Sequence, residues 1–158
     1  MKILIIYSTR HGCTEKCVMK LQQSLNRETE LVNLKNSTPP DLNDYDAIII
    51  GGSIHAGQIQ KRIKKFCHQN LEILKQKKLG LFICCMEEGE TAQKQFQNAF
   101  PDELISHAIA TGIFGGEFNF EKMNFVEKAI IKKIAKVDES VFKIDENRII
   151  EFARKIAE

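Results

Sequence analysis

Three hydroxyls, a basic pair and a glycine fall within seven residues, STRHGCT at positions 8–14, directly behind the apolar run KILIIY. That cluster suits an anion. Ser8, Thr9 and Thr14 offer hydroxyl donors, Arg10 and His11 add donors or charge at the rim, and Gly12 allows close backbone approach or a positive φ. A helix starting at Gly12–Cys13–Thr14 adds unpaired N–H groups and partial positive charge. A simple helix cap needs one hydroxyl. Here three flank a glycine, and the stretch predicts a phosphate cradle.

Several other phosphate chemistries fail against the same residues. There is no G-x-x-x-x-G-K-S/T and no G-x-G-x-x-G, which argues against nucleoside triphosphate hydrolysis and the dinucleotide fingerprint. A phosphatase needs a nucleophilic cysteine before the cradle and an arginine closing it, but Arg10 precedes Cys13 here. A phospho-receiver needs carboxylates at the strand ends, and this loop has none.

A second loop, SIHAG at Ser53, Ile54, His55, Ala56 and Gly57, follows the apolar strand DAIIIGG and can come close to a flat ligand. His11 and His55 are the histidines on the ligand side, and no acid–base constellation accompanies them. The five cysteines, an odd number, suit a reducing compartment and small buried packing roles. No cysteine spacing reads as a zinc site. Cys13 and Cys17 share a helix face, and the adjacent strand pair Cys84–Cys85 is expected to point to opposite sides and not to line one pocket together.

The elements that must position these groups alternate along the chain. Strands are expected at 2–7, 28–34, 46–52, 78–85 and 104–114, and helices at 12–25, 59–76, 88–100, 120–136 and 145–157, the last capped by Asp145. The β-α alternation implies an α/β domain spanning 1–158, a doubly wound five-stranded parallel sheet with helices on both faces. Ligands of such sheets lie beyond the carboxyl ends of the strands, where strand order reverses. In the 120–136 helix, Met123, Val126, Ile130, Ile134 and Val137 form an apolar stripe expected to be core, with Lys128, Lys132 and Lys136 opposite. Membrane-surface contact is the alternative use of that helix. Phe118 and Phe120 before it either cover a ligand or pack the helix.

The pattern S/T-S/T-x-x-G-x-T just after the first strand resembles the FMN-phosphate loop of the flavodoxin-like family. That resemblance implies strand order 2-1-3-4-5, FMN as cofactor, and His55 bordering or stacking on the flavin in place of the usual aromatic side chain. It also places backbone N–H groups around Cys85, Met86, Glu87, Glu88 and Gly89 at the pyrimidine edge, with the two glutamates on the rim. GGSIHAG followed by a basic helix, the opening K-x-L-I-x-Y-S-T-R-x-G-x-T, and the ATGIFGGEFNFEKMNFVEKAIIKKIAK segment are similar to the menaquinone-dependent protoporphyrinogen dehydrogenase branch. CCMEEGETAQKQF departs from that branch, lacking its longer basic insertion, which leaves the porphyrin substrate less well supported than FMN.

Three functional readings follow. The first is an FMN oxidoreductase resembling protoporphyrinogen dehydrogenase, passing electrons from a reduced substrate such as a porphyrinogen to a quinone or another acceptor. The second is a small electron carrier serving redox partner proteins, and the third a flavin-free module. Net charge +2 with pI near 8.2 leans away from the acidic carriers and is too weak for nucleic-acid binding. A start without a signal peptide and the want of a long apolar run lead to a cytoplasmic expectation, with a peripheral place on the inner membrane face as its extension.

Overall fold

The computed structural model describes residues 1–135 and 139–158. β1 (Ile3–Ser8) is buried at every position, as its run of branched apolar side chains requires of a strand covered on both faces. α1 (Cys13–Leu25) follows Gly12, whose φ of 90° lets the chain turn tightly into the helix. β2 (Thr29–Asn33) lies on the far side of β1 and is half exposed, as expected of an edge.

β3 (Ala47–His55) runs three residues further than the DAIIIGG pattern indicates. It turns back at Ala56 and Gly57, both with positive φ, into the two-residue β4 (Gln58–Ile59). A two-residue hairpin loop with both central residues left-handed matches the twist of the paired strands. The single helix expected over 59–76 is two, α2 (Lys61–Gln69) and α3 (Leu71–Leu74), divided at Asn70, whose side chain donates to the Phe66 carbonyl.

β5 (Lys78–Cys84) and α4 (Gly89–Ala99) fall where the sequence puts them. The strand expected at 104–114 does not. Residues Asp102–His107 form α5, started by Pro101 and by two carboxylates in its first turn, and only Ala110–Ile113 pair as β6. Two further short strands, β7 (Gly115–Phe118) and β8 (Val141–Ile144), make a separate antiparallel ribbon. The ribbon carries α6 (Phe125–Ala135), which begins five residues later than expected because Phe120–Lys122 form a single tight turn. α7 (Glu146–Ala157) closes the chain, its first turn capped by the Asp145 carboxylate as predicted.

The main sheet runs β2-β1-β3-β5-β6, all parallel, the doubly wound order expected. α1 and α7 cover one face over Ile3, Ile5, Phe82, Phe114 and Phe152. α2 to α5 cover the other, over Leu4, Ile6, Ile48, Leu81 and Ile83. Strand order reverses at β1, and the register pairs Ser8↔Gly52 and Ser53↔Cys84 bring three strand ends to one crevice.

α6 corrects the sequence reading most. Its stripe is not core: Val126, Ile130 and Ile134 are 63%, 49% and 75% exposed, and Phe125 is 86% exposed. The helix is inserted between β7 and β8 and lies over the crevice, not on the sheet. One edge of it therefore faces the cavity, through Glu127, Ile130 and Ile131, with the buried Met123 just ahead of the helix. Val137 of the expected stripe and Lys136 opposite it lie outside the described residues. No helix among the described residues is long and apolar enough to cross a membrane.

Candidate functional site

The crevice holds a cavity of about 230 Å³, walled by the ends of β1, β3 and β5 and roofed by β7 and α6. Thr9, Arg10, His11, Cys13, Ser53, Ile54, His55, Ala56, Cys85 and Met86 line it, joining ten of the residues singled out above. Ser8, Gly12 and Thr14 stand behind that wall at the start of α1. Gly57 sits in an open turn, while Glu87, Glu88 and Gly89 border a neighbouring hollow with Lys143 and Arg148. Cys84 and Cys85 both line the main cavity, contrary to expectation. They do belong to opposite cores, but β5 ends at Cys84 and the cavity wraps around that end.

The loop at 8–14 keeps anion donors unspent. Thr9 Oγ1 accepts from the Gly12 N–H at 3.0 Å, which fixes the turn. Thr14 Oγ1 is fully buried and has no hydrogen-bond partner among the described residues. A buried hydroxyl left unpaired costs about 1–3 kcal/mol, so its place at a helix N-terminus fits an anionic ligand. Cations stand at the loop's Ser8 and Gly12 positions. Arg62 Nη1 donates to Ser8 Oγ at 3.2 Å, and a side-chain carbon built on Gly12 would stand 2.9 Å from Lys122 Nζ.

Glu127 answers these cations from α6. Its Oε2 lies 2.7 Å from His11 Nε2 and 3.0 Å from Arg10 Nη2. Burial works to raise the Glu127 carboxyl, but the hydrogen bond and charge of His11, with the charge of Arg10, outweigh it and hold the group below the usual carboxylate range.

At the other end of the cavity, Gln60 Nε2 donates to Ser53 Oγ at 2.7 Å, leaving that hydroxyl to donate to His55 Nε2 at 3.0 Å. Burial, with the nearby Arg10 and His11, pulls His55 down to about 4, so the ring is neutral and accepts at Nε2. The His11 and His55 rings meet edge to face with centroids 6.0 Å apart. Phe118 borders the cavity, while Phe120 is buried with the Lys132 ammonium 5.9 Å over its ring. Lower down, Cys13 is lowered by S–H donation from Cys17 and Cys84 and by the Lys16 charge, against its burial. Cys84 is raised by the same contacts and by burial.

Sequence reasoning missed Arg62, Lys122, Met123, Glu127 and Ile131. Arg62 belongs to a visibly basic helix, KRIKKF, that follows the SIHAG loop. The others reach the site through the β7–β8 insertion, and no fixed spacing ties them to the loops they meet.

A parallel β2-β1-β3-β5-β6 sheet with a hydroxyl-rich loop after its first strand is the framework of a flavin-type redox domain. The chain belongs to the flavodoxin domain family, whose model matches residues 4–144. It is 21% identical over 172 aligned residues to a protein named protoporphyrinogen IX dehydrogenase (quinone) of Escherichia coli strain K12, covering 99% of this chain and 95% of that one. A protein of the same name from Leishmania major is 24% identical over 145 residues, covering 86% of this chain and 63% of the other. Among solved structures, oxidised Flavodoxin 2 from Bacillus cereus superposes with a TM-score of 0.64 at 23% identity, covering 99% and 98% of the two chains. FMN is the cofactor this family brings to the crevice. The orphan Thr14 hydroxyl and the left-handed Gly12 turn fit its phosphate.

Proposed function

We propose that this FMN redox protein is an oxidoreductase of protoporphyrinogen dehydrogenase type, taking electrons from a porphyrinogen substrate and passing them to a quinone. FMN supplies the electron transfer between donor and acceptor. The residues bind and orient it. In this reading the Ser8, Thr9 and Thr14 hydroxyls, the Gly12 turn and the Cys13 backbone N–H hold the phosphate, with Arg10 and His11 at its rim, while the Cys13 sulfur faces Cys17 and Cys84. Ser53 to Gly57 run along the ring, His55 borders it as a neutral acceptor, and the backbone from Cys85 to Gly89 serves the pyrimidine edge.

One observation carries the choice of substrate class: an apolar cavity whose roof, α6, presents Phe125, Val126, Ile130 and Ile134 to solvent beside Lys128, Lys132 and Lys133. A face that is both apolar and basic suits a flat apolar molecule with carboxylates, and it suits the headgroup layer of a membrane where quinones reside. The relatives named for this reaction support the reading. The protein then works in the cytoplasm against the inner face of the cell membrane. A small carrier would instead present the flavin edge to redox partner proteins, and the slight basic charge gives that reading little support.

The test is anaerobic turnover of protoporphyrinogen IX by FMN-loaded protein with a menaquinone analogue. Turnover that stops when the quinone is omitted is expected. FMN-loaded protein that shows none, yet exchanges electrons with a flavodoxin reductase, overturns the proposal in favour of the carrier.

A further inference from the structure

Three of the five cysteines meet. Cys13 is the first residue of α1, Cys17 stands one turn later on the same face, and Cys84 ends β5 beneath them. All three are buried, and their sulfur atoms lie within 4.8 Å of one another. Cys67, equally buried in the opposite core, belongs to no such group among the described residues. No imidazole or carboxylate joins the group among the described residues.

We infer that Cys13, Cys17 and Cys84 form a thiolate site for a single thiophilic divalent ion of the zinc type. An all-sulfur donor set selects soft or borderline ions over magnesium or calcium. Zinc–thiolate bonds of about 2.3 Å meeting at tetrahedral angles place the sulfurs about 3.8 Å apart, so closing from 4.8 Å takes about 1 Å per pair at most. Three thiolates carry charge −3. A divalent ion leaves −1 in this buried place where a monovalent one leaves −2, and burying uncompensated charge is expensive. Cys13 and Cys84 border the cavity, so a fourth ligand reaches the ion from that side. Three protein ligands with one open position is the arrangement of zinc sites that meet small molecules. Binding displaces the three S–H protons to solvent, so affinity falls on acidification.

The full-length chain, reduced and kept anaerobic, is titrated with zinc(II) against a chromogenic chelator, and the zinc-loaded protein is measured by X-ray absorption. One ion per chain is expected, with a shell of three sulfurs at about 2.3 Å. Cys17→Ser is expected to weaken binding by more than about 100-fold, beyond what losing an outer-shell partner costs. Cys67→Ser, equally buried, is expected to leave it unchanged. No bound zinc in the wild-type chain, a nitrogen–oxygen shell, or equal affinity in Cys17→Ser and wild type overturns the inference. If Cys17→Ser does not fold, the wild-type sulfur count decides alone.

Discussion

Replacing Glu127 by glutamine is expected to tighten FMN binding. The carboxylate lies on two groups of the phosphate loop, His11 at 2.7 Å and Arg10 at 3.0 Å. The Arg10 side chain is 51% exposed, so solvent screening limits that arm to at most about 1 kcal/mol. His11 is 14% exposed, and its hydrogen bond to a charged acceptor stands at the lower end of such bonds, about 1.5 kcal/mol. A phosphate that draws on these same donors must displace the carboxylate and then meets its like charge. Glu127→Gln keeps an acceptor for His11 but removes the charge, so the arginine arm is the part released. About 1 kcal/mol corresponds to roughly a five-fold lower Kd for FMN. The assay is quenching of FMN fluorescence on titration with apoprotein, run beside riboflavin, which lacks the phosphate and whose affinity should not move. An FMN affinity that is unchanged or weaker in Glu127→Gln refutes the competition.

Thr14→Val should move two quantities in opposite directions. Removing an unpaired buried hydroxyl at nearly constant volume is expected to leave the apoprotein as stable or up to about 1 kcal/mol more stable, while FMN binds about ten-fold more weakly. Thermal unfolding and the same titration read the two. Gly115→Ala is expected to lower stability by about 2 kcal/mol or more, a fall in Tm of about 4–8 °C by calorimetry, because φ is +79° and the new carbon would stand 1.9 Å from the Lys143 carbonyl oxygen. His55 sets a pH window. Its folded value of about 4 lies below the ordinary 6.5, so between these limits the unfolded chain binds more protons, and stability is lost as pH falls from 6.5 towards 4. Denaturant melts should show a slope of up to about 1.4 kcal/mol per pH unit that flattens in His55→Gln.

The loop at 8–14 was legible because its signal is local: an all-apolar strand, then hydroxyls around a glycine that must take a left-handed turn. The order of the main sheet followed from the β-α alternation and the resemblance together. What was not legible depends on contacts between distant segments. Glu127 meets Arg10 and His11 across more than a hundred residues, and Cys84 joins Cys13 and Cys17 only because β5 runs beneath α1. The β7–β8 ribbon escaped notice since Gly115 and Gly116 read as a strand's end, and GGEF has little β-propensity before the partner VFKI supplies the pairing. The same insertion explains the misjudged stripe of α6. Periodicity says that a helix has an apolar side, but it does not say whether that side meets a sheet or solvent. Likewise, ELISHAIATG is apolar enough for a strand, and the Pro101 start with its acidic first turn made half of it a helix.

The central claim is that the strand-end loop of β1 is a phosphate cradle for FMN. Comparing the affinities of FMN and riboflavin for the apoprotein tests it most directly. Two charge-assisted hydrogen bonds from the loop, about 1.5 kcal/mol each, predict that FMN binds on the order of 100-fold more tightly. Equal affinities for the two flavins would contradict the account.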